Sequence, residues 1–355
     1  MTGRMNVIVQ IPSLNEEEQL PTMLAELPRA LPGAQAVQWL LIDDGSSDGT
    51  VRVAREHGID HVVRLRRHKG LAAAFQSGVD ACLKLGADVI VNMDADCQFD
   101  AADIPSLIAP IVAQDADMVI GDRRNGTVAC FSRRQELLRR IGDAVVRRVS
   151  ATTLPDVTCG FRAYSREAAL RLQVLSTYTY TLETIVQAGS ERLALAHVPV
   201  SVRPAPRPSR LLDSVWAYVA RNASSLARIY LRYRPCRCLL VGLAATAVIA
   251  ATMCARLLYL WLFQPGPGGE VPFMVLATSF TVASLELAAL AIVGHALGWG
   301  HALELQSLER VKRVELELGV RPSCYEPGGR ALAGAPAPGP PSGGRSQPPA
   351  RPAAP

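Results

Sequence analysis

Val89-Ile-Val-Asn-Met-Asp-Ala-Asp-Cys-Gln98 is the stretch from which the rest of the chain is best read. Its first half, Val89–Met93, is a short β-branched run of the kind that forms a buried strand. Its second half sets Asp94 and Asp96 two residues apart. On extended backbone, side chains at that spacing face one side, so both carboxylates can reach one hard divalent cation. Gln98 adds an amide oxygen two residues further on. A lone Asp-x-Asp is common; its weight comes from its position at the end of a strand.

Outward from this run the pattern alternates. β-Branched runs recur at Val7–Ile11, Leu40–Ile42, His61–Arg64 and Met118–Ile120. Helix-like stretches at Glu17–Leu27, Thr50–His57, Leu71–Leu85 and Ala102–Gln114 fall between most of them. Such alternation predicts an α/β domain with a parallel sheet and crossover helices, and ligands then sit at the carboxyl ends of the strands. Two more polar clusters stand at those ends. In Ile11-Pro-Ser-Leu-Asn-Glu-Glu17, Pro12 should end the strand's pairing, while Asn15 and Glu16 can meet a ligand or cap the next helix. In Asp43-Asp-Gly-Ser-Ser-Asp-Gly-Thr50 the glycines allow a tight turn, Asp48 can cap a helix, and Asp44 can accept from a base or ribose hydroxyl. Leu193–Val202 suggests a further strand closing at Pro199.

The second half has a different character. Between Arg203 and Arg237 there are eight arginines and one acid, Asp213, with apolar residues near helical spacing, which reads as a helix lying along a membrane surface. Cys238–Ala255 is then eighteen residues without a charge, followed by Arg256 and Leu257–Phe263. After a Pro/Gly-rich loop, Val271–Leu297 is apolar except for Glu286 and His295. Each run can cross a hydrocarbon core of roughly 30 Å. Arg232, Arg234 and Arg237 precede the first run, Arg310, Lys312 and Arg313 follow the second, and the connecting loop has no basic residue. Both termini should therefore be cytoplasmic. From Pro327 on, 15 of 29 residues are Pro or Gly, so a disordered tail is expected. The chain thus divides into a catalytic-type domain over 1–205, a juxtamembrane region over 206–237, two spans over 238–298, a cytoplasmic helix over 299–326 and a tail over 327–355.

With 49% apolar and 19% charged residues among 355, general disorder is excluded. Only three of the 37 basic residues are lysines, Lys69, Lys84 and Lys312. The eight cysteines form no CxxC pair and no zinc-like spacing, and read as reduced thiols. No signal-peptide apolar region stands at the N-terminus, so secretion is not expected.

In their order, these clusters resemble the family 2 glycosyltransferases of the GT-A fold, and within them the dolichol- or polyprenyl-phosphate sugar synthases. The matching pieces are Pro12, Asn15 and Glu16; Asp43–Ser46; Asp94, Asp96 and Gln98; Gly121-Asp-Arg123; Phe131-Ser-Arg-Arg134; and Asp156-Val-Thr-Cys-Gly-Phe-Arg162. Cys97 stands where Gly is usual and Cys159 where Ser is frequent, and the basic loop after Pro199 is spaced differently from the family pattern.

The resemblance implies a Rossmann-like mixed sheet with a two-helix membrane anchor. It implies a nucleotide-sugar donor of the GDP-mannose or UDP-glucose type, a polyprenyl or dolichyl phosphate acceptor, and Mg2+ or Mn2+ held by Asp94, Asp96 and Gln98. Pro12, Asn15, Glu16, Asp44 and Ser46 would serve the nucleotide. Arg123 and Arg134 would meet the donor and acceptor phosphates, since a planar guanidinium suits phosphate oxygens. Either Arg203 or Arg207 would reach the diphosphate. Asp156 would act as a base or, preferably, as an orienting group, because an ionised phosphate acceptor needs little deprotonation. The bilayer is an expected partner, nucleic acid is not, and the spans could carry a homo-oligomer. A processive polysaccharide synthase would want Gln-x-x-Arg-Trp and more spans, whereas Gln135-Glu-Leu-Leu-Arg139 lacks the Trp. A non-catalytic membrane partner of the same fold need not keep three metal-ligating oxygens.

Overall fold

The computed structural model describes residues 5–123, 144, 146–147, 150, 152, 154–176, 179–203, 224, 228, 235–263 and 271–330. Strand β1 (Met5–Ser13) lies inside the sheet, flanked by β2 (Ala34–Asp43) and β4 (Val89–Asn92), both parallel to it. From Val7 onward β1 is buried, which is why its sequence is a nearly continuous apolar run rather than an alternating one. β3 (His61–Arg64) continues the sheet beyond β2 in the same direction. On the other side of β4, β6 (Arg162–Ser165) runs antiparallel between β4 and β5 (Met118–Asp122), and β7 (Leu195–Pro199) lies parallel to β5. β8 (Tyr325–Pro327) closes the far edge antiparallel to β3, giving the order β7-β5-β6-β4-β1-β2-β3-β8. The sheet is therefore mixed.

The helices on its faces are α1 (Leu20–Glu26), α2 (Thr50–Glu56), α3 (Leu71–Lys84), α4 (Ile104–Val112) with a 3-10 turn at Ala101–Asp103 before it, α5 (Arg166–Arg171) and α6 (Tyr180–Ser190). Helix α3 buries Ala72, Phe75, Val79 and Cys82, one stripe at helical spacing. The strands and helices expected up to residue 114 are all present, with ends shifted by a few residues.

Three expectations change. Pro12 does not end the pairing of β1 with β2, which continues to Ser13; it is the β4 side that stops, at Gln10–Asn92. Helix α8 (Val271–Glu317) runs unbroken through residue 298, so the expected cytoplasmic helix is the continuation of the helix expected to form the second span. Pro327–Arg330, expected to begin the tail, sit on the sheet edge: Gly328 N donates to Asp60 O at 3.0 Å and Arg330 N to Ile59 O. The remaining tail and most of the juxtamembrane region over 206–237 lie outside the described residues.

Helices α7 (Pro235–Phe263) and α8 are long and apolar enough to cross a membrane. Their large apolar side chains face outward: Val241, Trp261, Ile292 and Leu297 are all exposed. A soluble core helix would bury them, so the outward face matches a lipid solvent. The pair is held by small and hydroxylated residues, with Gly242 against Leu287 and Ser284 Oγ donating to Thr246 Oγ1 at 3.0 Å. Past the apolar part, α8 reaches the catalytic-type domain. There Lys312 Nζ donates to Leu170 O and Leu172 O, Arg313 pairs with Glu167 at 2.6 Å, and Glu315 pairs with Lys84 at 3.0 Å.

Candidate active site

The carboxyl ends of β1, β2 and β4 bring the polar clusters together. The loops after β1 and β2 are joined by hydrogen bonds. Asn15 N donates to Ser46 Oγ at 2.9 Å, Ser47 N to Asn15 Oδ1 at 2.8 Å, and Glu16 N to Thr50 Oγ1 at 2.9 Å. Asn15 adopts φ +54°, a left-handed conformation that Asn tolerates. Asp44 is buried and accepts from Lys69 N at 2.8 Å and Gly70 N at 2.9 Å, with His68 Nδ1 2.8 Å from Oδ2. Gly45 makes that approach possible: at φ +82° a Cβ would lie 2.7 Å from His68 N. Asp44 thus ties the β2 end to the start of α3.

Asp94 follows β4, and its carboxylate lies against the Cα of Gly160, where a Cβ would come within 2.6 Å of Oδ2. Behind it is a buried polar network in which Gln10 donates to Asn92, and Asn92 donates to Gly160 O at 3.0 Å and to Tyr180 Oη at 2.9 Å. Phe75 stacks on Tyr180 with ring centroids 4.1 Å apart, fixing that network from α3. Asp94 Oδ1 is buried with no hydrogen-bond partner. Burial, with Asp96 beside it, pushes the Asp94 carboxyl up to about 7. Burial also raises Asp96, opposed by the hydrogen bond from Gln98 N. Gln98 Nε2 donates to Asp96 Oδ2 at 2.7 Å, which leaves the amide oxygen of Gln98 as the atom of that side chain that could meet a cation.

These groups fit a hard divalent cation. An orphaned carboxylate oxygen in a desolvated pair is a site whose missing partner is positive. Among the described residues no cluster of three His, Cys, Asp or Glu side chains forms a complete cage. The remaining ligands would have to come from the substrate and water, as Mg2+ and Mn2+ commonly accept.

Arg123 forms a two-pronged fork on Asp156, Nε to Oδ2 at 2.7 Å and Nη2 to Oδ1 at 2.9 Å, and Nη2 also donates to Thr158 Oγ1 at 2.8 Å. Asp156 is therefore engaged in holding the guanidinium, whose charge acts on both Asp94 and Asp96. Arg203 makes two ion pairs, to Glu26 at 2.7 Å and Asp100 at 2.9 Å, while its backbone N donates to Gln98 O. It stands beside the metal-type loop with its head group turned to other carboxylates. Arg134 and Arg207 lie outside the described residues.

Arg162 was assigned no role by the sequence reading. It is fully buried on β6, donating to Cys159 O, Val157 O, Thr181 O and Thr184 Oγ1, and its charge lowers the Asp94 carboxyl against the effect of burial. The signal was an arginine in the middle of an apolar run, at the end of the Asp156–Arg162 block.

The chain is similar to known glycosyltransferases. A family model for glycosyl transferase family 2 matches residues 8–172. The polyprenol monophosphomannose synthase of Mycolicibacterium smegmatis is 30% identical over 205 residues, covering 55% of this chain and 76% of that protein. The undecaprenyl-phosphate mannosyltransferase of Micrococcus luteus is 30% identical over 208 residues, covering 56% of this chain and 83% of that protein. The glucosyl-3-phosphoglycerate synthase of Mycobacterium tuberculosis, solved with Mn2+, UDP-glucose and phosphoglyceric acid, superposes with a TM-score of 0.52 at 23% identity, over 64% of this chain and 80% of that one. That last likeness is one of fold.

Proposed function

This chain belongs to the family 2 glycosyltransferases, and from that premise we propose that it moves a sugar from a nucleotide-sugar donor to a polyprenyl phosphate at a membrane surface, with inversion. The observation that carries the reading is the Asp94–Asp96 pair: two desolvated carboxylates, one with an orphaned oxygen, at the end of a central strand. The two named relatives use polyprenol-type phosphates and mannose, which makes a mannosyl donor the first to try. The outward apolar faces of α7 and α8 fit a lipid acceptor.

In this reading, the joined loops around Asn15, Glu16, Asp44 and Ser46, with Pro12 at their base, take the nucleotide. Asp94, Asp96 and the oxygen of Gln98 hold Mg2+ or Mn2+. When bound, such a cation supplies positive charge against the departing diphosphate. Arg123 presents its guanidinium toward the same charge, and Asp156 keeps that fork in one orientation rather than abstracting a proton. A polyprenyl phosphate is ionised near neutral pH and can attack the anomeric carbon in line without a general base. Arg134 is the residue proposed to hold it.

The test is a panel of radiolabelled nucleotide sugars, given with polyprenyl phosphate to membranes carrying the chain. Labelled lipid should form with one donor class, vanish in EDTA, and fall by about 100-fold or more in Asp94→Asn. Transfer insensitive to EDTA would remove the metal from the mechanism. Absence of labelled lipid with every donor would remove the acceptor.

A further inference from the structure

The stretch that closes the sheet comes from far along the chain. β8 and the residues after it follow both long helices and stand outside residues 8–172, which the family model matches. Yet they lie on the half of the sheet that carries the joined loops after β1 and β2. We propose that this strap, residues 324–330, is a positioning element for those loops, and that its grip on β3 and α2 sets the affinity for the nucleotide of the donor. The proposal rests on the reading of the loops given above.

The grip on β3 is made by backbone. The strap runs antiparallel to that strand, from its carboxyl end toward its start. Arg64 N donates to Cys324 O at 2.9 Å, Tyr325 and Glu326 stand opposite Val63 and Val62, and Gly328 N donates to Asp60 O at 3.0 Å. Arg64 is then held from the other side as well. Its Nε lies 3.3 Å from Asp43 Oδ2, and the next amide, Leu65 N, donates to Asp43 O at 2.9 Å. Asp43 Oδ1 in turn accepts from Ser46 N at 2.9 Å, and Ser46 Oγ accepts from Asn15 N. Further along the same loop, Lys69 N and Gly70 N meet Asp44. A continuous line of polar contacts thus leads from the strap to the loops assigned to the nucleotide.

The grip on α2 is made by charge and by close approach. Glu326 pairs with Arg55, near the end of α2, and a Cβ on Gly329 would lie 2.0 Å from Arg55 O. The other end of α2 belongs to the loops: Thr50 Oγ1 accepts from Glu16 N, and Gly49 N donates to Glu17 Oε2 at 2.8 Å. Without the strap, β3 would be a four-residue edge strand with its outward amides unpaired. A frayed β3 leaves its loop to be ordered when the nucleotide binds, and that ordering cost is read as weaker affinity. The Asp94–Asp96 pair is remote from this effect, because β1, β2 and β3 separate β4 from β8. The strap should therefore act on donor KM and leave turnover nearly alone.

The test uses the purified full chain with Mn2+, and measures Kd for GDP and for UDP beside donor KM and turnover. Gly329→Val drives a side chain into Arg55 O, and Glu326→Arg sets two arginines face to face. Hydrogen exchange at Arg64 N should accelerate in both. Nucleotide Kd and donor KM should rise by about 10-fold or more, with turnover at saturating donor within about threefold of the parent. Adding Arg55→Glu to Glu326→Arg restores the pair with its sense reversed, and should bring Kd back to within about threefold of the parent. Unchanged Kd in a variant whose Arg64 N exchanges freely overturns the proposal, and so does an Arg64 N that stays protected in Gly329→Val. A fall in turnover with KM unchanged is what a smaller folded fraction produces, and it overturns the positioning role. Failure of the reversed pair to restore Kd does the same. A parent chain that binds neither GDP nor UDP overturns the nucleotide reading itself. A parent that binds one of them, with variants that bind it equally well, overturns the strap alone.

Discussion

Asp94 combines two demands that oppose each other. Its carboxylate is buried against Gly160, and one of its oxygens has no partner, an arrangement that costs folding free energy without a cation. Asp94→Asn is therefore expected to keep or raise the thermal midpoint in metal-free buffer while losing transfer, and a lowered midpoint would count against the strain argument. Gly160→Ala should act in the opposite sense: its Cβ would press on Asp94 Oδ2 and Tyr180 Oη, displacing the carboxylate from a network that has no slack. Cys97 occupies the left-handed region at φ +57°, which explains why Gly suits that position. Cys97→Val, β-branched in a conformation hostile to it, should lose about 1–3 kcal/mol in urea melts, and Cys97→Gly should not. The carboxylates and loop glycines were legible because their chemistry depends on local spacing. Arg162 was not, because a buried arginine is meaningful only once the four acceptors around it, drawn from two stretches of chain, are assembled.

Among the elements, the central strands announced themselves by apolar runs that burial on both faces demands. β6 and β8 did not. β6 is four residues with an arginine, and β8 is three residues bordering a Pro/Gly-rich tail; both take their conformation from the strands they pair with. β8 is tied down by backbone closeness: a Cβ on Gly329 would lie 2.0 Å from Arg55 O, so Gly329→Val should release it. It also carries a pH sensitivity. His61 Nδ1 is 3.0 Å from Tyr325 Oη, its Nε2 is buried without a partner, and burial holds its pKa below the ordinary value. The unfolded side chain, with a pKa of about 6.5, then binds the proton more readily than the folded one. The stability contributed by neutral His61 is present above that value and is lost as pH falls below it toward the lowered folded pKa. Hydrogen exchange at Arg64 N and Gly328 N, the amides that join this edge, should accelerate on acidification from neutral, more than at the β1–β2 pairing. Exchange at this edge that is indifferent to pH would remove His61 as the cause.

At the scale of the whole molecule, the path of the chain constrains its topology. The catalytic domain precedes α7, and the end of α8 returns to that same domain through Lys312, Arg313, Glu315 and β8. If α7 and α8 both span, an even number of crossings is required, and both ends of the hairpin lie on the domain's side. Charge then selects the side. The connection over 264–270 has no Lys or Arg, whereas Arg232, Arg234 and Arg237 stand before α7 and Arg310, Lys312 and Arg313 lie in the last turns of α8. Basic residues within about 15–20 residues of the spans hold their side in the cytoplasm. Arg256, with its guanidinium 5.5 Å from the centre of the Tyr259 ring, sits seven residues from the C-terminal end of α7, where a long side chain on a spanning helix can reach the interface. The expected outcome is read with a membrane-impermeant maleimide. Gly268→Cys should add labelling on intact cells, while native Cys324, exposed beside β8, should label only after lysis. Labelling of Cys324 from outside would place the domain on the other side of the membrane, beyond the reach of cytoplasmic nucleotide sugars. The opposite pattern at both positions would require the catalytic domain to have crossed the membrane, and the basic flanks oppose that.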